Sequence, residues 1–272
     1  MPELPEVESA RRVIEGSALN RRIATVDDSD EWVCRPHRSG DLAGALVGRR
    51  LTAVHRRGKS LWCDTSEVGR GRQPGPALGI HLGMSGKIVI ADRAGREVEG
   101  GDYWDRGRAP GDYRFSRFSL TFADGGAMIL IDPRRLGRVR LDPPVELLGP
   151  DARSVTPAEF RAALSSGTAP VKARLLDQSA VAGIGNLLAD QILWRAKVFP
   201  GTPVRELDAN AIARLQRATH RSIEQAVAGG GVHTLSLIEH RRPGGHCPRD
   251  GSALEHGKFG GRTTWWCPTE QV

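Results

Sequence analysis

The chain has 272 residues, enough for two domains that each bury a core. Its formal net charge of +7 and isoelectric point of about 9.7 favour a polyanionic partner. No apolar run approaches the roughly 18 residues of a membrane span, and four cysteines in a chain of this length do not indicate a disulfide scaffold. We therefore expect a cytosolic protein without a signal peptide.

The first six residues, Met1-Pro2-Glu3-Leu4-Pro5-Glu6, carry a candidate nucleophile. If Met1 is removed, Pro2 becomes a free secondary amine, and because such groups titrate near pH ~8, part of it is neutral in the cell. A neutral amine can attack a masked aldehyde such as C1′ of a sugar. Glu3 and Glu6 lie within one helical turn of it. The alternative is an ordinary helix start, where proline and acids are common, and the spacing alone favours that alternative.

The rest of the first half is predicted to be mostly β-structure. Short segments rich in valine, isoleucine, leucine and threonine are typical of strands, whereas 66–76 and 93–113 are rich in glycine, proline and charge and are predicted to be loops. With an apolar helical face over 6–15, this pattern favours a sandwich or barrel capped by one helix. The predicted strands are 19–26, 44–56, 60–64, 77–82, 86–91, 114–123, 127–131 and 137–141.

A proline-rich stretch near residue 148 separates this half from a helical one, because the hydrophobic period changes there from two to about 3.6. Helices are predicted at 156–164, 169–179, 186–197 and 208–228. The predicted organisation is a β-rich domain at 1–142, a linker at 143–152, a helical domain at 153–235 and a β-hairpin at 240–272.

Three turns have the chemistry of nucleic-acid contacts. Val181–Asn186 joins two helices through paired glycines, and its main-chain N–H groups at a helix start can bind a phosphate. An ordinary helix connection explains this turn equally well. His81–Gly86 and Asp132–Gly137 each end a strand in a tight turn with a long side chain that can enter a base stack. A hairpin with an exposed methionine or arginine is the commoner explanation.

Four motifs occur in a fixed order: Pro-Glu-Leu-Pro-Glu-Val-Glu, His-Leu-Gly-Met-Ser-Gly, Asp-Pro-Arg-Arg and Gly-Ile-Gly-Asn. With these motifs the chain resembles the formamidopyrimidine-DNA glycosylase and endonuclease VIII family from Pro2 to about Gln271. The resemblance implies an α+β fold, with an N-terminal β-sandwich and helix, a helix–two-turn–helix domain and a C-terminal finger-like hairpin. It implies a monomeric DNA glycosylase and AP lyase that acts at the nucleoid on double-stranded DNA with a damaged base or abasic site.

The resemblance also implies roles for individual residues. Pro2 would be the nucleophile at C1′, Glu3 the acid and proton shuttle, Glu6 the residue that fixes the terminal helix and its amine, and Lys59 the lysine at the lesion and its phosphates. Lys59 is one of five lysines among 39 basic residues, which makes its place in the motif more telling. The implied DNA-binding residues are Met84, Arg134 and Leu136 at the gap left by the flipped base, Asn186 at a phosphate, and Arg262 in the finger.

Two departures concern the lesion. Leu136 stands where the formamidopyrimidine branch usually has phenylalanine, so the opposite-base preference is open. The segment between Gly231 and Cys247 is much shorter than in that branch, where a loop there closes over an oxidised purine. This shortening argues against 8-oxoguanine as the substrate.

The finger departs furthest from the family, because Asp250 and Glu270 replace two of its four cysteines and leave Cys247 and Cys267. Structural zinc sites are nearly always built from cysteine and histidine, so we expect no zinc and no other cofactor. Aromatic packing is expected to replace the metal, and the two cysteines can pair under oxidising conditions. The other residues considered are His246 and His256, which fit no usual ligand spacing, and Phe259, Trp265 and Trp266, which can supply the packing.

Two other functions are compatible with the composition. The altered finger and short loop suit a catalytically silent protein that binds damaged or abasic DNA, but the intact Pro2, Glu3, Glu6 and Lys59 argue against it. An unrelated basic RNA-binding protein would leave the four ordered motifs unexplained.

Overall fold

The computed structural model describes residues 2–67, 74–103, 107–165 and 167–272. These residues form two compact units, one made of Pro2 with Glu6–Val145 and the other of Glu3–Pro5 with Glu146–Val272. None of the helices in the described ranges is long and apolar enough to cross a membrane.

Two antiparallel sheets and one long helix, α1 (Leu4–Ser17), make up most of the first unit. The short helices are α2 (Glu31–Cys34) and α3 (Asp41–Leu46), and the strands are β1 (Ile23–Asp27), β2 (Leu51–Arg57), β3 (Ser60–Thr65), β4 (Leu78–His81), β5 (Lys87–Ala91), β6 (Glu97–Gly101), β7 (Ser116–Phe122), β8 (Ala127–Ile131) and β9 (Arg138–Leu141). The strand order is β1-β7-β8-β5-β6 in one sheet and β2-β3-β4-β9 in the other.

The core of this unit explains why the first helix forms where it does. Val7, Ala10 and Ile14 recur every three or four residues, so they share one face of α1, and all three are buried in the same apolar cluster as Phe118 and Leu130 of the five-stranded sheet. The predicted sandwich with an N-terminal helix is confirmed.

Two elements of the first unit differ from the sequence-based prediction. The strand predicted over 44–56 was wrong in its first part, where α3 is a helix. The carboxylate of Asp28 accepts hydrogen bonds from the N–H groups of Leu42 and Ala43. The start of α3 is therefore stabilised by a residue that is distant in sequence, and no local capping signal marks it. The loop predicted over 93–113 contains β6, an edge strand that pairs with β5 alone. The sequence of β6 is charged and partly exposed, so it lacks the apolar alternation that predicts a strand. The loops predicted at 66–76 and 93–113 lie partly outside the described residues.

The second unit is helical, as predicted. Its helices are α4 (Pro157–Ala163), α5 (Val171–Leu176), α6 (Asn186–Ala196) and α7 (Ala209–Gly229). Thr156 and Glu159 form a reciprocal capping box at the start of α4, and this pair was readable in the sequence. Helix α5 is shorter than the predicted 169–179, because Pro170 precedes its first residue and Asp177 leaves the helical conformation.

A two-stranded hairpin ends the chain, with strands β10 (Glu255–Phe259) and β11 (Arg262–Trp266). Gly260 and Gly261 both have positive φ, +59° and +71°, which is what a two-residue turn between right-twisted strands requires. Before the hairpin, 3₁₀ turns at Val232–Thr234 and Ile238–His240 connect it to α7.

Candidate active site

Glu3 is held at the start of helix α6 by three main-chain amides. The N–H groups of Gly185 and Leu188 donate to its Oε2 at 3.0 Å each, and that of Leu187 donates to Oε1 at 2.9 Å. The side chain is fully buried. The positive end of the helix and three donors together stabilise the negative charge of the carboxylate. The residue after the candidate nucleophile is therefore held in place by donors that favour its anionic form.

The Val181–Asn186 turn thus has a use that the sequence did not show. The N–H groups of Gly185, Leu187 and Leu188, in and just after this turn, bind the carboxylate of Glu3. That the turn also binds a phosphate stays a prediction. Within the described residues, the N–H group of Asn186 donates to nothing. It remains the amide of this helix start that is available to an outside anion.

Pro2 and Glu6 are both buried in the first turn of the chain. One turn further, Glu8 joins α1 to the turn that carries Lys59. Its carboxylate accepts from Arg11 at 3.1 Å and from Arg56 at 3.0 Å, and the same Arg56 guanidinium donates to the carbonyl of Gly58 at 3.1 Å. This link holds the β2–β3 turn, and Lys59 in it, against the helix that begins with the candidate nucleophile.

Burial alone would raise the pKa of Glu8, but the hydrogen bonds and charges of Arg11 and Arg56 outweigh it and lower the pKa to about 2. His81, across the ladder from Ser60, lies near Lys59. Desolvation lowers the pKa of His81, and the charges of Lys59 and Arg138 lower it further, so the imidazole adds no positive charge beside Lys59 at neutral pH.

Met84, Arg134 and Leu136 are exposed at the ends of two loops of the first unit. The two arginines of Asp-Pro-Arg-Arg have different environments. The guanidinium of Arg135 makes two hydrogen bonds to Asp30, at 3.0 and 2.9 Å, whereas that of Arg134 has no hydrogen-bond or ion-pair partner in the part of the chain that the structure describes. Of these two arginines, Arg134 is therefore the one whose guanidinium is available to a ligand.

Asn186 links α6 to the hairpin through its side chain. Its Nδ2 donates to the carbonyl of Thr263 at 3.1 Å, and Nζ of Lys172 donates to the same carbonyl at 3.3 Å and to Thr264 Oγ1 at 2.7 Å. Lys172 also forms a fully buried ion pair with Asp190, with 2.6 Å between Nζ and Oδ1. Burial lowers the pKa of Lys172, while Asp190 favours its charged form.

Asp190 also holds the hairpin directly. It accepts from the N–H group of Trp265 at 3.1 Å and from Arg241 at 2.8 Å. The hairpin is thus fastened to α6 next to Arg262. Arg262 is exposed at the hairpin turn, and its guanidinium has no partner among the described residues.

The finger positions provide three converging ligands rather than four. Ligand atoms of Cys247, Asp250 and Cys267 lie within 4.8 Å of one another. Glu270, in the fourth position, instead forms ion pairs with Arg249 and with Lys197, the latter at 2.9 Å. Burial raises the pKa of the Cys267 thiol. This set does not fit a closed four-ligand zinc site.

Aromatic side chains pack around the same hairpin, as the sequence predicted. The ring of Trp266 meets those of Phe199 and Phe259 edge to face, with centroids 5.5 and 5.7 Å apart. On the other side of β11, Trp265 is buried with Trp194 in a small cluster that includes both cysteines.

Comparisons with known proteins identify the family of the chain. The family model of the formamidopyrimidine-DNA glycosylase N-terminal domain matches residues 1–139, and that of the formamidopyrimidine-DNA glycosylase H2TH domain matches residues 148–236. The chain belongs to the formamidopyrimidine-DNA glycosylase family. The formamidopyrimidine-DNA glycosylase of Chloroflexus aggregans is 33% identical over 100% of this chain and 99% of its own length. That of Acidothermus cellulolyticus is 32% identical over 100% and 97%.

Solved structures extend the likeness to the fold. The Lactococcus lactis Fpg bound to DNA with an oxidised pyrimidine has a TM-score of 0.80 and 26% identity, covering 99% of each chain. The same protein bound to DNA with an abasic site has a TM-score of 0.79 and 26% identity, again over 99% of each chain. The α+β fold inferred from the motifs is confirmed. The chain is a DNA glycosylase of base excision repair, from a family with AP lyase activity.

Several residues that build the site escaped the sequence reasoning. Glu8, Lys172 and Asp190 have their key partners far along the chain. Two of them had a readable signal. Asp190 is an acid on a helix rich in leucine, isoleucine and alanine, and Lys172 is one of five lysines, as Lys59 is. A charge at a core position of a helix indicates a buried partner.

Proposed function

We propose that Pro2 is the nucleophile and Glu3 the proton shuttle of a bifunctional DNA glycosylase and AP lyase. The observation that carries this proposal is the carboxylate of Glu3, next to Pro2 in the chain and fixed by three amide donors at the start of α6. A buried carboxylate in its anionic form can accept a proton from the Pro2 ammonium and so supply the neutral amine that attacks. Glu6 and Lys59 complete the proposed catalytic set, Glu6 through the fixed first turn and Lys59 at the lesion and its phosphates.

The reaction then runs in two stages. The nitrogen of Pro2 attacks C1′, the bond from C1′ to the base breaks, and the base leaves with the electron pair and takes up a proton. Glu3 passes a proton to the ring oxygen as the sugar opens to an iminium ion. The iminium acidifies the C2′ proton, and loss of that proton expels the 3′ phosphate and, in a second elimination, the 5′ phosphate. Water hydrolyses the remaining iminium ion to an aldehyde and frees the Pro2 amine.

We assign DNA contacts to residues that the structure leaves available. The guanidiniums of Arg134 and Arg262 and the N–H group of Asn186 have no partner among the described residues, and they suit the DNA strand and its phosphates. The exposed side chains of Met84 and Leu136 suit the gap left by the flipped nucleotide, which must leave the stack before C1′ can react. The protein acts as a monomer in the bacterial cytosol, where its substrate lies in the nucleoid.

We propose further that the finger works without zinc. Only three potential ligands converge in the described residues, and Glu270 instead forms an ion pair with Lys197. The aromatic cluster around Trp266 and the hydrogen bond from Trp265 to Asp190 stabilise the hairpin without a metal.

The proposal is tested by comparing Pro2→Gly and Glu3→Gln with the parent on duplex oligonucleotides that carry oxidised bases or an abasic site. Both variants should bind abasic DNA with nearly the parent affinity, and both should lose base excision. Glu146→Gln, at an acid in a 3₁₀ turn at Val145–Leu147, serves as the matched control and should keep the parent rate. DNA binding by the parent without excision of any base in the panel and without strand cleavage would support the silent damage-binding protein instead.

A further inference from the structure

Asp132 lies where two loops of the first unit run side by side. One loop, residues 82–86, leads from β4 to β5, and the other, residues 132–137, leads from β8 to β9. In one sheet β4 pairs with β9, and in the other β5 pairs with β8. Both loops therefore cross from one sheet to the other at the same end of these strand pairs. Met84 is at the tip of the first loop, and Arg134 and Leu136 are at the tip of the second.

The carboxylate of Asp132 binds both loops. Its Oδ1 accepts from the hydroxyl of Ser85 at 2.6 Å and from the N–H group of Arg134 at 3.2 Å, and its Oδ2 accepts from the N–H group of Gly137 at 2.7 Å. Asp132 itself is fully buried. One buried side chain therefore connects residues 47 positions apart in sequence.

The loops also touch without room for a side chain. Gly83 has φ +61°, and a Cβ atom there would lie 2.4 Å from the carbonyl carbon of Leu136 and 2.5 Å from the nitrogen of Gly137. Above this contact, Met84 and Leu136 keep 37% and 45% of their surface exposed, which is unusual for apolar side chains on a rigid base. The hydrogen bonds of Asp132 and the close contact at Gly83 therefore fix the distance between the two loop tips, which expose the apolar side chains of Met84 and Leu136.

We propose that Asp132 is a positioning residue that makes the Met84 tip and the Arg134–Leu136 tip one rigid wedge, so that both enter the base stack together. This inference rests on the proposed function, because it takes Met84 and Leu136 to be the residues that fill the gap. It adds that their joint insertion depends on a carboxylate that never touches DNA. Without the hydrogen bonds of Asp132, the distance between the two loop tips would no longer be fixed, and the base stack would open more slowly. The chemistry at C1′ would be unaffected once the sugar is accessible.

The test separates stack opening from chemistry. A duplex with a lesion and a neighbouring 2-aminopurine reports unstacking by fluorescence, and single-turnover excision is measured on the same duplex. An abasic site in single-stranded DNA reports the lyase chemistry without a stack to open. Asp132→Ala should slow unstacking and duplex excision by roughly 10- to 100-fold, the effect of losing a buried charged hydrogen-bond acceptor. Single-strand cleavage should stay within about twofold of the parent.

Asp28→Asn is the matched control, since Asp28 is also a buried carboxylate that caps main-chain N–H groups of the first unit. It should not change the ratio of duplex to single-strand rates. Asp132→Asn, which keeps one acceptor oxygen, should fall between the parent and Asp132→Ala. If Asp132→Ala does not fold, Ser85→Ala and Gly83→Ala test the same frame from the other loop, and both should lower the duplex rate selectively.

A double-mutant cycle decides whether Asp132 acts through the wedge. If it does, Asp132→Ala combined with Met84→Ala should cost less than the product of the two single effects. Multiplicative effects, or an equal loss on single-stranded DNA, would overturn the inference and leave the proposed nucleophile and shuttle untouched. Parent rates in both Met84→Ala and Leu136→Ala would show instead that the wedge assignment in the proposed function is wrong.

Discussion

Glu3 keeps its position partly because Gly185 has no side chain. A Cβ atom at Gly185 would lie 2.2 Å from Cδ of Glu3 and 2.5 Å from its Oε1, so the carboxylate fits against bare backbone. Gly185 has extended backbone angles, φ −114° and ψ −169°, that any residue can adopt. The glycine is needed for space and not for conformation.

Gly185→Ala should therefore abolish most activity without unfolding the protein. Displacing Glu3 by about 1 Å should lower single-turnover excision by roughly 100-fold, because misplaced catalytic groups cost that much. Gly16→Ala, in the last turn of α1 with open space around its Cα, is the control and should keep the parent rate. Thermal unfolding of both variants checks the fold. Parent-like excision by Gly185→Ala would mean that Glu3 does not need its three amide donors.

Glu8 gives the first unit a defined response to acid. Its pKa in the folded protein, about 2, lies below its ordinary 4.5, so the folded state favours the charged carboxylate. The stabilisation is fully present above pH 4.5 and is lost as the pH falls from 4.5 to about 2. The side chain is 5% exposed, and the shift corresponds to about 3 kcal/mol.

Glu8→Gln should flatten the acid limb of the stability curve. Chemical unfolding of parent and variant at a series of pH values should show a difference at pH 7 that shrinks towards pH 2, because the parent loses its carboxylate charge over that range. Glu15→Gln, which removes another acid paired with Arg11, is the exposed control and should change the curve little. Parallel curves for parent and Glu8→Gln would show that the Arg11 and Arg56 contacts do not favour the charged form.

The proposal that the finger works without zinc implies that packing stabilises the terminal hairpin in place of a metal. Four zinc-bound cysteines would contribute on the order of 10 kcal/mol or more. Here β11 instead presents Trp266 to Phe199 and Phe259 on one side and Trp265 to the cysteine cluster on the other, while Asp190 holds its main chain. Because successive side chains of a strand point to opposite faces, the two adjacent tryptophans pack into two separate clusters.

Trp266→Ala should therefore weaken the hairpin more than Cys247→Ser does. Losing a packed indole costs about 3 to 5 kcal/mol, enough to loosen the turn that carries Arg262. Thermal unfolding and DNA affinity of the two variants give the comparison, and elemental analysis with a cleavage assay after chelation tests the metal. One zinc per chain that is lost together with activity would contradict this account and make Asp250 or Glu270 a ligand.

For the molecule as a whole, charge sets the affinity for DNA. The net charge of +7 favours a strong electrostatic component, and so do the guanidiniums of Arg134 and Arg262, which have no partner in the described part of the chain. Because counterion release dominates such binding, affinity should fall with salt at a slope of roughly −0.9 per phosphate neutralised.

Arg262→Ala should reduce that slope by about one unit and weaken all DNA sequences alike. Arg242→Ala is the control, since it is an exposed arginine outside both hairpin strands. Equilibrium binding at several salt concentrations gives the slopes. If Arg262→Ala keeps the parent slope and affinity, the hairpin turn does not contact DNA.

Much of the fold was readable because its signals are local. The repeat of Val7, Ala10 and Ile14 gives α1, and Thr156 with Glu159 marks the start of α4. Helix α3 was missed because its cap comes from Asp28, whose carboxylate lies 14 residues from Leu42 in sequence. Strand β6 was missed because an edge strand needs no apolar alternation on its exposed side.

The sequence showed the motifs of the candidate site but not how their residues are arranged in space. Motif residues such as Pro2, Glu3 and Lys59 are visible in the sequence, but the contact between Glu3 and the Gly185 turn spans 182 positions. The turn predicted to bind a phosphate also binds this carboxylate, which no local pattern indicated. Such pairings depend on the tertiary fold, which no local pattern encodes.

The most direct test of this account is to locate the covalent bond to DNA. Borohydride reduction during the reaction should trap the protein on lesion-containing duplex DNA, and mass spectrometry of the digested adduct should place the sugar on the nitrogen of Pro2. Pro2→Gly, or an uncleaved tag before Pro2, should reduce or abolish that adduct. An adduct on Lys59 or another amine, at parent yield in the tagged protein, would contradict the central claim.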